Sequence, residues 1–274
     1  MGFSLRFWGV RGSIACPSPD YMTYGGNTSC VEVLAGDRRI ILDGGTGIRS
    51  LGRTLLKEGA RGAVVLFSHT HWDHINGFPF FEPGYQSGRT FRILAGHLSD
   101  AGGIRAALAG QMAQPMFPVP LDIMQAQLVF EDFRAGDSFG LEPGVSVRTA
   151  RLNHPNGATG YRLEHSGKAA CYVTDTEHVP GRPDEAVLAL IEGADVVIYD
   201  CTYTDESYKQ RVGWGHSTWE EGMRLCRRAG VRRLLIFHHD PDNADDRMAA
   251  IEAEARGQWD GCSVAREGML VELA

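Results

Sequence analysis

Residues 63–74 read Ala-Val-Val-Leu-Phe-Ser-His-Thr-His-Trp-Asp-His, and no other stretch constrains the chain as tightly. The apolar run 63–67 has the length and β-branched content of a buried strand. It delivers His69, His71, Asp73 and His74 to a single strand end. His69 and His71 are two apart, so an extended tip points both imidazoles the same way. Asp73 and His74 follow where the chain must turn, and face the same space from another side. Crowding such groups without a cation is costly. Two nitrogens plus a nitrogen–oxygen pair on one loop suit two adjacent divalent ions of the zinc or manganese kind.

The pattern of an apolar strand ending in a ligand-type residue returns along the chain. The strand at 145–152 runs into Asn153-His154-Pro155, and a hairpin over 161–173 ends in Thr174-Asp175-Thr176. The strand at 196–199 ends in Asp200-Cys201-Thr202-Tyr203. That at 233–237 ends in His238-His239-Asp240-Pro241. Because side chains alternate along a strand, only one of His238 and His239 is expected to face the cluster. Near the N-terminus a strand at 3–8 is broken by Gly9-Val10-Arg11-Gly12-Ser13. A hairpin then turns at Gly36-Asp37. Ile48, Leu51 and Leu55 recur at helical spacing, with Gly59 as a stop.

Residues 98–133 depart from the alternation. Gly102-Gly103 and Pro115, Pro118 and Pro120 break them up, and they carry Met112, Met116 and Met124. They read as an inserted cap over the site, or as a helix and loop packed on the core. Ser217-Thr218-Trp219-Glu220 has a capping-box pattern, with Trp219, Met223 and Cys226 on one helical face. A last helix carries Met248, Ile251 and Ala255, and the C-terminal residues read as a closing strand pair. No linker, charge block or internal repeat divides the 274 residues. They are expected to form a single domain, 1–274, with the cap at about 98–133.

The His-x-His-x-Asp-His run resembles the signature of the metallo-β-lactamase superfamily, a group of mostly dinuclear hydrolases. The resemblance implies an α+β fold, an αββα sandwich of two mixed β-sheets flanked by helices, with metals at one edge. Carried over residue by residue, it implies one ion on His69, His71 and His154, and another on Asp73, His74 and His238. Asp175 would bridge them, since a carboxylate has two oxygens to share. His239 is the alternative late ligand. Asp43, in Leu42-Asp43-Gly44-Gly45-Thr46-Gly47, matches a position that orients the metal loop. The cofactor implied is two divalent ions, zinc first, with manganese or iron as alternatives. Such a pair shares a water and lowers its pKa toward neutrality, giving a hydroxide nucleophile. The sequence holds no Gly-x-Ser-x-Gly elbow to support covalent catalysis.

Val197 to Tyr203 together with Gly215-His216-Ser217-Thr218 resemble the ribonuclease Z and phosphodiesterase branch. There His216, held by Asp200, would protonate the leaving oxygen and complete the catalytic set with Asp73. The loops 9–13 and 24–29, with 77–81 and 114–119, resemble bacterial ribonuclease Z-like hydrolases. In that setting Arg11, Asn27 and Ser29 would meet an anionic substrate. In ribonuclease Z a long arm that grips transfer RNA lies between the positions of His154 and Asp175. Here only a short hairpin joins them. The implied substrate is therefore a small phosphodiester, a cyclic nucleotide among the candidates. Hydrolysis of an ester, thioester or lactone, a ribonuclease activity, and a non-catalytic metal-stabilised binding role are the alternatives.

Composition narrows the partners. Net charge is −7 with a pI near 5.8, which argues against a broad basic face for nucleic acid. No apolar run has the length of a membrane span, and the N-terminus lacks the regions of a signal peptide. The six cysteines form no C-x-x-C pair, as expected of reduced thiols in a cytoplasmic protein. A homodimer is one possible assembly.

Overall fold

The computed structural model describes residues 2–99, 101–141 and 144–273. In the first half, strands β1 (Phe3–Gly9), β2 (Cys30–Ala35) and β3 (Arg38–Leu42) precede helix α1 (Ile48–Lys57). Strand β4 (Gly62–Phe67), the one-turn α2 (Trp72–Ile75), β5 (Thr90–Ala95), α3 (Gly103–Gln111) and β6 (Gln127–Asp132) follow. The second half begins with β7 (Ser138–Leu141), β8 (Val145–Leu152), β9 (Ala158–His165) and β10 (Lys168–Val173). It continues through α4 (Glu185–Ile191), β11 (Val196–Asp200), α5 (Asp205–Tyr208), α6 (Trp219–Arg228) and β12 (Leu234–Phe237). The chain ends in α7 (Asp245–Gln258), β13 (Cys262–Val264) and β14 (Leu270–Glu272).

The strands form two sheets, ordered β14-β1-β2-β3-β4-β5-β6 and β13-β12-β11-β10-β9-β8-β7. Both are mixed. Three apolar layers separate four structural ones. Between the sheets, Leu5, Phe7, Val33 and Leu66 meet Val147, Leu163, Tyr172 and Phe237. Outside the first sheet, Ile48, Leu51 and Leu55 of α1 and Ile104 and Leu108 of α3 cover Ile41, Val65 and Ile93. Outside the second, Val187 and Ile191 of α4, Trp219 and Met223 of α6, and Met248 and Ile251 of α7 cover Cys171, Val197 and Ile236. Each such side chain, fully removed from water, contributes about 1.5–3 kcal/mol. This is the expected αββα sandwich.

Strand direction makes the functional edge. β3, β4 and β5 are parallel to one another, as are β10, β11 and β12. β8 pairs antiparallel with β9 and β9 with β10, so β8 also runs with β10. The C-terminal ends of β3, β4, β8, β10, β11 and β12 therefore open on one side, where open α/β sheets place their ligands. Bonds across the sandwich lock the two rims together. Tyr161 donates to the Phe67 carbonyl at 2.6 Å, and the Thr159 amide to the Ser68 carbonyl at 2.9 Å.

Three sequence expectations are corrected here. Residues 98–133 are not an inserted cap. They form the α3–β6 crossover, and β6 pairs parallel with β5 along Thr90–Ala95. Ile104, Leu108, Met112, Leu121 and Met124 are buried in the outer layer of the first sheet. The C-terminal strands do not pair with each other: β13 joins β12, and β14 joins β1, so each closes a different sheet. The N-cap of α6 is Thr218, which accepts from the Glu221 amide at 3.0 Å. Ser217 instead meets His178 Nδ1 and the Tyr199 hydroxyl. Among the described residues no helix is long and apolar enough to cross a membrane.

Candidate metal centre

Two groups of ligand atoms lie at the open edge, each within 4.8 Å of one another: His69, His71 and His154, and Asp73, His74, Asp175 and His238. Asp175 links the groups. Its Oδ1 lies 3.2 Å from His74 Nε2 and 3.3 Å from His238 Nε2. Its Oδ2 lies 3.6 Å from both His69 Nε2 and His154 Nε2. Asp73 Oδ2 sits 3.2 Å from His74 Nε2 and 3.1 Å from His238 Nε2.

His74 Nδ1 donates to Asp43 Oδ2 at 2.7 Å, which turns Nε2 toward Asp73 and Asp175; burial opposes the charge, but Asp175, Asp73 and Asp43 carry the imidazole well above its ordinary value, and a cation at Nε2 would take the place of that proton. His154 Nδ1 donates to the Gly215 carbonyl at 2.7 Å. His238 Nδ1 meets the Thr202 hydroxyl at 3.0 Å, and that hydroxyl donates to Asp200 Oδ1 at 2.7 Å. His69 Nδ1 meets Ser68 Oγ at 3.1 Å, which donates to Asp43 Oδ2 at 2.8 Å. Imidazole nitrogens and carboxylate oxygens therefore converge, and His69 Nε2 is buried without a hydrogen-bond partner. Nitrogen with carboxylate oxygen is the donor set of zinc and its neighbours, so these residues fit a divalent cation. Burial and the neighbouring His74 push His69 well below the ordinary imidazole value, which keeps it a neutral ligand. Burial alone would raise Asp175, but His238, His74 and His69 outweigh it and hold it well below the usual carboxylate range.

The backbone is strained where these groups converge. Asp43, Asp175 and His238 have φ of 61°, 53° and 60°. Ser13, with φ of 61°, donates its amide to Asp73 Oδ2 at 2.7 Å. Each left-handed non-glycine residue costs about 1–3 kcal/mol and persists only when its surroundings over-determine it. Gly12 lies flat against the His238 ring, where any Cβ would collide.

His216 stands beside the cage. Its Nδ1 lies 2.9 Å from Asp200 Oδ2, and its ring stacks on His238 with centroids 4.9 Å apart. Burial pushes the imidazole down, but the Asp200 charge and hydrogen bond outweigh it and carry it up to about 9. With Nδ1 engaged, Nε2 is the nitrogen free to give a proton.

Asp43, His69, His71, Asp73, His74, His154, Asp175, Asp200, His216 and His238 thus meet at one edge. His239 does not. Its Nε2 bonds the Ala265 carbonyl at 2.8 Å on the opposite side of the strand end. The substrate contacts expected of Arg11, Asn27 and Ser29 are also corrected. Arg11 is fully buried, its guanidinium donating to the carbonyls of Gly25, Asp240 and Asn243. Asn27 is held by both oxygens of Glu267. Ser29 is buried beside it in sequence. Arg11 thus braces the loop after His238, and the Ser29 carbonyl accepts from the Gly45 amide in the turn after Asp43.

Sequence reasoning missed several supports. Tyr172 donates to Asp43 Oδ2 at 2.8 Å; it lies on β10 three residues before Asp175, an odd spacing, so strand alternation gave no signal for it. Glu177 had none. Its Oε1 accepts from the Gly213 amide at 2.6 Å and the Tyr208 hydroxyl at 3.0 Å, and its Oε2 from the Gly215 amide at 2.7 Å. Glu177 and Asn153 also bond reciprocally, amide to carbonyl and side chain to carbonyl, both at 2.7 Å. The Glu177 carboxylate thereby holds the loop before His216, while its backbone ties the loop after Asp175 to Asn153 beside His154. Glu177→Ala is expected to weaken metal retention by about 10–100-fold, as loss of groups that orient ligands does. Competition with a chelator measures this, and unchanged retention would reject the role.

Comparisons with known proteins give the family and the fold. The profile of the beta-lactamase superfamily domain matches residues 38–239. The chain is similar to the ribonuclease Z of Haloarcula marismortui, 24% identical over 98% of this chain and 96% of that protein. It is 36% identical to the ribonuclease Z of Gemmatimonas aurantiaca, but over only 34% of this chain and 29% of that one. Among solved structures, the metallo-beta-lactamase fold protein YhfI from Bacillus subtilis superposes with a TM-score of 0.75 at 18% identity, covering 99% of both chains. With the superfamily profile running over well more than half of its length, the chain belongs to the beta-lactamase superfamily and is a hydrolase of the metallo-β-lactamase fold.

Proposed function

We propose that the chain is one metal-dependent phosphodiesterase domain, holding two divalent ions, zinc first, and cleaving a small phosphodiester. The observation that carries this reading is the splitting of the Asp175 oxygens between two ligand groups, with the His216–Asp200 pair alongside. His69, His71 and His154 would hold one ion and Asp73, His74 and His238 the other, with Asp175 shared. Bound there, such ions supply an ionised water near neutral pH and positive charge for the phosphoryl oxygens. The protein supplies the rest. Ser13 and the imidazoles keep the Asp73 carboxylate anionic and aimed inward. Asp200 orients His216, whose Nε2 gives its proton to the departing oxygen, a step that poor leaving groups require.

The ribonuclease Z relatives support phosphorus as the attacked centre and make a ribonuclease the second reading. The β9–β10 hairpin favours the smaller substrate, because it alone spans the interval between His154 and Asp175. The test is metal analysis joined to a substrate panel. Protein loaded with zinc or manganese should hold about two ions per chain and hydrolyse aryl phosphodiesters faster than aryl esters and lactones. Faster ester or lactone hydrolysis would transfer the reading to carbon, and cleavage confined to transfer-RNA precursors would make it a ribonuclease.

A further inference from the structure

The groups around His216 are the ones a departing half of the substrate would meet. Trp214 stands two residues before it. Its indole is 60% exposed, yet its backbone is fixed, because the amides of Gly213 and Gly215 on either side both donate to Glu177. The Gly215 carbonyl in turn accepts from His154 Nδ1. A braced loop thus holds a large flat ring in water beside the ligand cage.

Arg211 lies over this ring, its guanidinium 5.1 Å from the indole centroid. Among the described residues that guanidinium has no hydrogen bond and no ion pair. It covers one face of the indole and leaves the other to solvent. Burial raises the Asp240 carboxyl, and the Asp242 amide, Arg211 and His216 pull it back. The two cations act on one carboxylate, so the Arg211–Trp214 pair belongs to the His216 rim. Tyr203 closes the same rim, its ring edge-on to His216 with centroids 6.0 Å apart.

We propose that Trp214, backed by Arg211, is the stacking platform for the departing half of the substrate. An indole takes flat rings by stacking, and every nucleobase has such a face. The Asp240 carboxylate on the same rim disfavours a departing half that carries its own negative charge. The substrate class narrows to phosphodiesters whose leaving alcohol bears an uncharged flat ring, a nucleoside first. The inference rests on the phosphodiesterase reading, which makes His216 the donor to the leaving group.

Binding and turnover separate the two claims. Zinc-loaded protein is titrated calorimetrically with two uncleavable diester mimics, methyl(2-phenylethyl)phosphinate and methyl(2-cyclohexylethyl)phosphinate. The saturated ring is as apolar as the flat one but cannot stack. The flat ring is expected to bind about fivefold tighter, within the range of an aromatic pair beyond its buried area. In Trp214→Ala the preference should fall to within about twofold of unity, and Trp214→Phe should restore most of it. Trp214 is exposed, so the fold survives its replacement. Val212→Ala, on the same loop but lining the cavity of about 650 Å³ beside α5 and α6, should leave the preference intact. In turnover of benzyl methyl phosphate, Trp214→Ala should raise KM about fivefold with kcat within about twofold, because a stacked ring is held alike in the ground and transition states. No preference in the unaltered protein, a preference untouched by Trp214→Ala, an equal loss in Val212→Ala, or a fall in kcat at unchanged KM would each overturn the platform. If the mimics bind with the expected preference and benzyl methyl phosphate is not hydrolysed, the phosphodiesterase reading falls while the ring site at Trp214 stands.

Discussion

Asp73→Ala is expected to lower metal content from about two ions per chain to about one and to cut phosphodiester turnover by more than about a hundredfold. Loss of groups that merely orient ligands costs about 10–100-fold, so loss of a ligand oxygen should cost more. Asp73 Oδ2 is 3.1 Å from His238 Nε2 and 3.2 Å from His74 Nε2, with the Ser13 amide fixing it from behind. Without it, two imidazole nitrogens 3.3 Å apart face each other with one carboxylate oxygen, from Asp175, left to balance a cation. The set of His69, His71 and His154 keeps the other Asp175 oxygen and should keep its ion. Elemental analysis of dialysed protein beside turnover reads both effects. Two ions and full activity in the variant would remove Asp73 from the ligand set.

His216→Ala should retain both ions and separate substrates by leaving group. Turnover of alkyl phosphodiesters is expected to fall by about 10²–10⁴, the usual value of a positioned acid, and that of p-nitrophenyl phosphodiesters by less than about tenfold. A nitrophenolate departs without a proton, whereas an alkoxide needs one. Equal slowing of both classes would exclude the donor role. The pH profile adds a second reading. An acid must be protonated to act, and the Asp200 charge and hydrogen bond, outweighing burial, keep His216 so to higher pH than an ordinary imidazole. Alkyl substrates should therefore lose rate as pH rises through that limb, and aryl substrates should not show it. Cations would quiet the help His216 receives from Asp175 and Asp73, but the Asp200 share remains. Asp200→Asn should move the limb to lower pH. That variant also disturbs Thr202 and the Thr176 amide, so His216→Ala is the cleaner test of mechanism.

Local sequence determined the elements that carry chemistry. A buried strand announces itself by its apolar run, and a ligand residue directly after it lies at that strand's end wherever the strand goes. His69, His154, Asp175, Asp200 and His238 were legible for that reason. Strand β6 was not. Its Gln-Leu-Val-Phe-Glu-Asp run is only partly buried at a sheet edge, and the preceding prolines mask the crossover.

Tertiary structure decided whatever depends on which surfaces meet. Two adjacent histidines after β12 look alike in sequence, yet the positive φ at His238 turns one into the cage and leaves the other on the Ala265 carbonyl. Arg11 reads as a free cation until carbonyls some 230 positions later surround it. Glu177 reads as an ordinary surface acid until three loops close on it. Periodicity and propensity are set by near neighbours and survive in the sequence. Hydrogen-bond partners supplied by distant segments do not, because they exist only once parallel strands have brought their ends to one edge.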